Sequence, residues 1–598
     1  MLGPLEKLRG SGTSRSSAVL CAAAAGLILL KLWLVSAQPI IAMGWATLDD
    51  RLFLNLAHDL LAGTWLGAYS ELTLAKGCFY PIWVALVVRL GIPLLLSQHL
   101  LYLLAVLALL GALRPMGYGP WRLLVLGALL WFDPGTYTAQ VLRVVREGIY
   151  PALTLLVIAG FVGTLLRARV GSWRALEPWL LLSTLSLAAF WQTREEGPWL
   201  LPFLAAVAAF VCARQWWTRA PGGWALGLAC VMPLLAIPCS DGVVALINRA
   251  HYGVAVTVEV KSHDFLAAYG ALTRVKPKHV VPHVLVSRET RDLIYRVSPA
   301  FATLEAQFDR PGANAWGPGP RKEWPDLKAG EIGGGWFMWA FRQAVARAGN
   351  YDDGRKAMAF YRQLAKEVDN ACRAGTLDCL PARASMMPPW TPEYGKAMPK
   401  AFARAALFTA TFAGMAADPA PSEGNDSTQA LYRELTHDRI APLGTLGVAA
   451  PRDAEKVRLL DRVLGLYRVV MPILAVLALY SLIVQAVEAI RRRRISAIWV
   501  VQAGLLGALL ARLVMLAYID VTSFPAVDPL YLTAAYPVLI LLVFLALYER
   551  ERMLSRRGPW WKRIFELPRA SASADGAQRP DAGSGTAPGP AASAGNSS

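Results

Sequence analysis

Cysteine and histidine are scarce, seven of each in a chain of 598 residues. That is too few for a disulfide scaffold at this length, and no cysteine pair is joined by histidines at zinc-finger spacing. Charge is thin as well, 17% of residues against roughly 25% in soluble domains. Acidic residues are the minority: 42 against 60 basic ones, a net charge of +18. No RNP motif, zinc knuckle or basic-aromatic pattern accompanies the surplus, so no nucleic acid is expected as partner. Such an excess fits loops that face anionic lipid on the cytoplasmic side of a membrane.

What the chain has in quantity is apolar sequence: 55% hydrophobic residues and a mean hydropathy of +0.39. The expected class is an α-helical polytopic membrane protein. Lys7, Arg9 and Arg15 precede an apolar run over 18–40, long enough to span a bilayer. Val35-Ser36-Ala37 imitates a signal-peptidase site, but the run exceeds a signal core of about 7–15 residues. It reads as a permanent first span with the N-terminus (1–17) cytoplasmic. Nine further spans follow, at 93–113, 119–132, 149–167, 178–191, 198–214, 223–239, 466–489, 496–516 and 529–548. This topology places Arg114, Arg122, Arg167, Arg169, Arg174, Arg214, Arg219, Arg491 to Arg494 and Arg550 to Arg557 inside, as the positive-inside rule asks. Both termini are then cytoplasmic, and the expected location is a bacterial inner membrane.

The chain divides into a membrane module (18–240, with its first outer loop at 41–92), a periplasmic, mostly helical region (241–463), terminal membrane helices (464–550) and a cytoplasmic tail (551–598). The tail is rich in Ala, Ser, Gly and Pro from about 570 and reads as disordered. Helical periodicity marks Trp336–Ala348 and Asp353–Cys372, while His251–Lys261 alternates like a strand. Cys21, Cys212 and Cys230 lie in apolar spans as packing residues. Cys372 and Cys379 flank the polar stretch RAGTLD, where a local disulfide is expected and a free pair is the alternative.

The first outer loop, GWATLDDRLFLNLAHDLLAGTWLGAYSELTLAKGCFYP from Gly44 to Pro81, gathers Asp49, Asp50, His58, Glu71 and Lys76. Polar groups between membrane spans are costly and usually functional. Thr47 is a candidate N-cap for a short helix to about Leu61, with Leu52, Phe53, Leu56 and Leu60 on its apolar side, suited to the membrane surface. A second short helix over Tyr80–Leu90 takes Pro81 in its first turn. The bland role of Asp49 and Asp50 is helix initiation, which accounts for one aspartate better than for two. Other outer loops bring Asp133, Arg143, Arg146 and Glu147, then Arg194, Glu195 and Glu196, then Asp520 near Arg512. Arg143 and Glu147 are four apart and could pair locally. Arg512 lies inside an apolar helix, where a cation needs a phosphate or an acidic side chain beside it.

On these residues the chain resembles the GT-C superfamily of membrane glycosyltransferases, in the protein O-mannosyltransferase and aminoarabinose-transferase branch and its bacterial family-39-like members. The matching features are Asp49-Asp50 just after the first span, two juxtamembrane helices, Lys76-Gly77-X-X-Tyr80-Pro81, Arg146-Glu147 and Arg194-Glu195. They cover roughly 18–240; the later spans and the 241–463 region match only in general arrangement, and Cys78 stands where relatives often have proline. The resemblance implies a transmembrane module of about ten helices that inverts a sugar taken from a polyprenyl-phosphate donor. It implies Asp50 first and Asp49 second as base, and donor-phosphate contacts from Lys76, Arg194, Arg146 and Arg512. Glu71, Glu147, Glu195 and His58 become candidate metal or acceptor contacts. A divalent metal serves some branches and not others, so metal and cofactor stay open, as does the acceptor. A transporter or flippase of lipid-linked or anionic substrates is the main alternative, and a non-catalytic assembly module the third.

Overall fold

The computed structural model describes residues 13–168, 173–218, 223–309, 316, 327–444 and 451–556. The tail expected to be disordered and the N-terminal basic residues Lys7 and Arg9 lie outside the described residues. The chain is predominantly helical, and among the described residues extended pairing is confined to four isolated bridges. The described residues from 13 to 548 form one compact unit.

Seven described helices are long and apolar enough to cross a membrane, and the protein is accordingly a multi-pass helical membrane protein. The remaining three expected spans fall short for physical reasons. The 119–132 segment is a helix of 12 residues, about 18 Å at 1.5 Å per residue, against a hydrocarbon core of about 30 Å. The 178–191 segment lies in a 21-residue helix whose apolar character is diluted by Arg174, Glu177, Ser183, Thr184, Ser186 and Gln192. The 529–548 segment is split into Pro529–Leu532 and Ala535–Arg556, and the second piece carries four consecutive charges from Glu549 to Arg552.

The helices that position the site are α1 (Thr13–Val35), α2 (Asp50–Leu61), α3 (Phe79–Arg89), α4 (Leu94–Leu113), α5 (Pro120–Trp131), α6 (Tyr150–Arg167), α7 (Trp173–Thr193) and α8 (Leu201–Thr218). At the centre stands α6, buried along nearly its whole length between α4 and α7. Its close approach to α7 depends on small residues: a Cβ on Gly160 would lie 2.6 Å from Ser183 Oγ, and one on Gly163 would lie 2.1 Å from the Trp179 ring. Small residues at a helix contact are the usual solution where lipid offers no hydrophobic drive. The helix Pro451–Arg492 runs 42 residues, about 63 Å, roughly twice a bilayer core.

Between these membrane helices, a second core forms from the helices His263–Thr273, Arg288–Tyr295, Gly334–Arg347 and Gly354–Arg373. Its interior is aromatic: Phe265, Tyr269, Phe337, Phe341 and Tyr361 touch ring to ring. Cys372 and Cys379 form a disulfide at its edge. The strand expected over His251–Lys261 is absent. The helix Ala236–Tyr252 ends at Gly253, which sits at φ +75°, and a 3-10 turn follows over Glu259–Lys261. The alternation is real, because Val254, Val258 and Val260 are buried, but among the described residues no partner strand lies alongside.

The 44–81 loop is clamped between the two cores. From α2, Phe53, Leu54 and Ala57 enter the membrane-helix core, while Leu52 and Leu56 enter the aromatic one with Leu66, Leu74 and Cys78. So α2 packs between the two cores, and only its Arg51, Asn55 and His58 edge is exposed. Thr47 is not its cap. The helix begins at Asp50 with Asp49 at the N-cap and no side-chain capping bond, because both carboxylates are engaged elsewhere.

Candidate functional site

Five cations and five carboxylates meet where the 44–81 loop, the 139–148 segment and the end of α7 converge. Lys76 pairs with Asp49. Arg143 grips Asp50 through Nε at 3.2 Å and Nη2 at 2.5 Å, and the Val144 amide donates to the same carboxylate at 3.2 Å. Arg146 holds Glu195 at 2.7 and 3.0 Å. Arg194 pairs with Glu147 and, at 3.0 Å, with Glu196. Arg512 reaches Glu196 at 2.6 Å and the Tyr531 carbonyl at 2.6 Å. The acidic partner that Arg512 requires inside an apolar helix is therefore Glu196.

Local sequence dictates much of this arrangement. Residues 139–148 form two 3-10 turns, Ala139–Val141 and Arg146–Gly148, and no α-helix. Arg143 and Glu147 consequently do not share a helical face, and each pairs across loops. Gly77 is required where it stands: its amide donates to Glu195 Oε1 at 2.8 Å, and a Cβ there would lie 2.1 Å from the Gln192 carbonyl oxygen. A backbone atom cannot rotate aside, so Gly77→Ala should push the loop off the end of α7 and displace Lys76. The expected outcome is loss of the native Lys76–Asp49 contact and a drop in thermal stability of about 1–3 kcal/mol, read by unfolding in detergent.

Exposure separates the members. The Asp50 side chain is fully buried, whereas Asp49 is 52% exposed. Lys76, Arg146, Arg194 and Arg512 are 8%, 9%, 3% and 1% exposed, so the cations form a floor beneath one accessible carboxylate. Partial desolvation by the surrounding loops would raise the half-exposed Asp49 carboxyl, but the Lys76 ammonium, helped by Arg146 and Arg143, holds it down to about 2. For Asp50 burial wins, pushing the carboxyl up against the pull of Arg143. Burial likewise lowers the Lys76 ammonium, in spite of Asp49. Glu195 would also rise on burial, yet Arg146 and Lys261 bring it below its ordinary value.

Asp49 and Glu195 thus have folded-state values below their unfolded ones. Their stabilisation is complete above the ordinary carboxylate range, about pH 4, and is lost as pH falls through the lowered values. Thermal unfolding followed from pH 6 to pH 3 should show a steep fall below about pH 4. Glu195→Gln should remove part of that fall.

Other sequence candidates go elsewhere. Asp133 accepts from Tyr102 at 3.1 Å and from the Gly135 amide at 2.9 Å, near the first span. Asp520 takes Arg404 at 2.5 Å and the Ala526 and Val527 amides. His58 is exposed, 3.9 Å from Asp59, and Glu71 sits in the same loop, half-buried. Among the described residues no three His, Cys, Asp or Glu side chains are placed to hold a metal ion. Glu147 and Glu195 are each neutralised by an arginine, so these two carboxylates do not suit a divalent cation.

Three features had no place among the sequence candidates. Lys31 in α1 is fully buried, donating to the Trp131 carbonyl and to Thr136 Oγ1 at 2.7 Å, with its ammonium 4.4 Å from the Trp131 ring. A lysine in an apolar run was itself the signal. Glu259 is fully buried and accepts from Arg342 Nε at 2.8 Å, Tyr69 at 2.8 Å, Tyr361 at 3.1 Å and Tyr351. Trp339, on the Gly334–Arg347 helix, has its ring 5.6 Å from Lys76 Nζ. No family model matches this chain, nor does any curated protein or solved structure.

Proposed function

We propose that the chain is an inverting glycosyltransferase of GT-C type, moving a sugar from a polyprenyl-phosphate donor to an envelope glycan, lipid or protein on the outer face of a bacterial inner membrane. The observation that carries this reading is the Asp49–Lys76 pair. It joins one accessible carboxylate to one nearly buried ammonium, above a floor of arginines at the membrane helices.

The chemistry follows from that pair. The donor phosphate takes the Lys76 ammonium from Asp49. Freed from its cation, the Asp49 carboxylate gains basicity and accepts the proton of the acceptor hydroxyl. The acceptor oxygen bonds to the anomeric carbon from the face opposite the phosphate, the bond to the phosphate oxygen breaks, and the polyprenyl phosphate leaves with the electron pair. Lys76 meets that growing charge directly. Arg146, Arg194 and Arg512 already have carboxylates on their donors, so their part is to hold the loops in place around Lys76. On this reading Asp49 is the base, and Asp50, buried against Arg143, anchors the start of α2.

Mass spectrometry of envelope glycans tests the proposal. A strain without the chain should lack one sugar, restored by the native protein and by no Asp49→Asn variant. An unchanged glycan profile in the deletion strain would defeat it.

A further inference from the structure

Lys76 is bordered by rings from both cores. Phe53 of α2 lies below it, its centroid 5.1 Å from Nζ, and the Trp339 ring lies 5.6 Å from the same atom. Trp339 is half-buried, on a helix that comes from the aromatic core and abuts the membrane helices at its start, where the Gly335 amide donates to the Ser523 carbonyl at 3.2 Å. The glycines there permit the approach, since a Cβ on Gly335 would lie 2.6 Å from the Phe524 ring.

Trp339 is also held from behind. Arg342, three residues on, has its guanidinium carbon 5.9 Å from the Trp339 ring and its Nε fixed on Glu259 at 2.8 Å. The same Glu259 carboxylate accepts from Tyr69, and the Glu259 amide donates to the Leu74 carbonyl at 2.9 Å. One buried carboxylate therefore sets both the helix that bears Trp339 and the loop that bears Lys76. Arg342 is fully buried, yet its Nη1 and Nη2 find no hydrogen-bond partner among the described residues. A buried guanidinium with unused donors beside an aromatic ring is a costly arrangement without a ligand.

We infer that Trp339 is the stacking platform for the donor's sugar ring, with Arg342 beside it as hydroxyl donor, so that the Gly334–Arg347 helix determines which sugar is used. This rests on the glycosyltransferase reading of the Asp49–Lys76 pair. A sugar is joined directly to its phosphate, so a phosphate on Lys76 brings the ring to a neighbour of Lys76. An uncharged pyranose presents one face of C–H bonds, which packs on an indole, and a rim of hydroxyls, which take donors such as those of Arg342. Phe53 is excluded from the role because it is buried in the membrane-helix core.

The test separates the sugar from the lipid phosphate. Full-length protein in nanodiscs is titrated with radiolabelled polyprenyl phosphate and with polyprenyl phosphate bearing glucose, mannose or arabinose. In the native protein one sugar-bearing lipid should bind at least about tenfold tighter than bare polyprenyl phosphate. Trp339→Ala should lose that increment and leave bare polyprenyl phosphate unchanged, and Trp339→Phe should recover most of it. Lys76→Ala should weaken every lipid alike. Equal weakening of all lipids by Trp339→Ala, or no weakening, overturns the inference while the proposed function stands. Native protein that binds none of the lipids overturns the proposed function and the inference together.

Discussion

Asp49→Asn should reduce sugar transfer by at least about a hundredfold while the protein remains folded and inserted, the range expected when a general base is removed. The carboxylate is 52% exposed and its polar contact is the Lys76 ammonium, so an isosteric amide gives up the stability of that one pair and leaves the rest of the fold in place. Asp50→Asn should behave in the opposite sense. That side chain has no exposure and holds Arg143 and the Val144 amide, so the variant should lose thermal stability, with transfer falling in proportion to the folded fraction. Measuring transfer and unfolding on both variants distinguishes base from anchor. Full transfer by Asp49→Asn together with lost transfer by a folded Asp50→Asn would exchange the two roles.

Arg342→Ala should cost about 3–5 kcal/mol of stability, the usual consequence of removing one partner from a buried ion pair. Both Arg342 and Glu259 are completely buried. With the arginine gone, the Glu259 carboxylate keeps only the hydroxyls of Tyr69, Tyr351 and Tyr361. Tyrosine hydroxyls donate to a carboxylate but do not neutralise it, so a buried charge is left without its counter-ion. The thermal transition should therefore fall. Glu259→Gln keeps the volume and leaves Arg342 as the unpaired charge. It should also destabilise, because a buried guanidinium then lacks its counter-ion. Thermal unfolding of the two variants beside the native protein checks both outcomes.

Particular residues show what could be read in advance. Asp49, Asp50, Lys76, Arg146, Glu147, Arg194 and Glu195 stood out because charge between apolar spans is expensive, and the fold gathers all of them at one place. Which partner each would take was not legible. The i, i+4 spacing of Arg143 and Glu147 suggested a local pair only if the segment were α-helical, and it forms 3-10 turns instead. Which of the two aspartates the loop buries was not legible either, because the partner of Asp50, Arg143, lies 93 residues away. Glu259 and Arg342 were silent because 83 residues separate two charges in unremarkable contexts. Helix positions in the less apolar region were readable from periodicity, as in Gly334–Arg347 and Gly354–Arg373. The false strand over His251–Lys261 arose because alternation reports which side chains face a core, and says nothing about a neighbouring strand.

Transfer and transport make opposite demands on the bond between sugar and phosphate. Purified protein in proteoliposomes can be given polyprenyl phosphate carrying a labelled sugar, together with an envelope extract as acceptor source. Glycosyl transfer requires the label to leave the lipid fraction, with one polyprenyl phosphate released per sugar moved and the anomeric configuration inverted in the product. Label that stays on the lipid and merely changes leaflet would contradict it and identify a transporter.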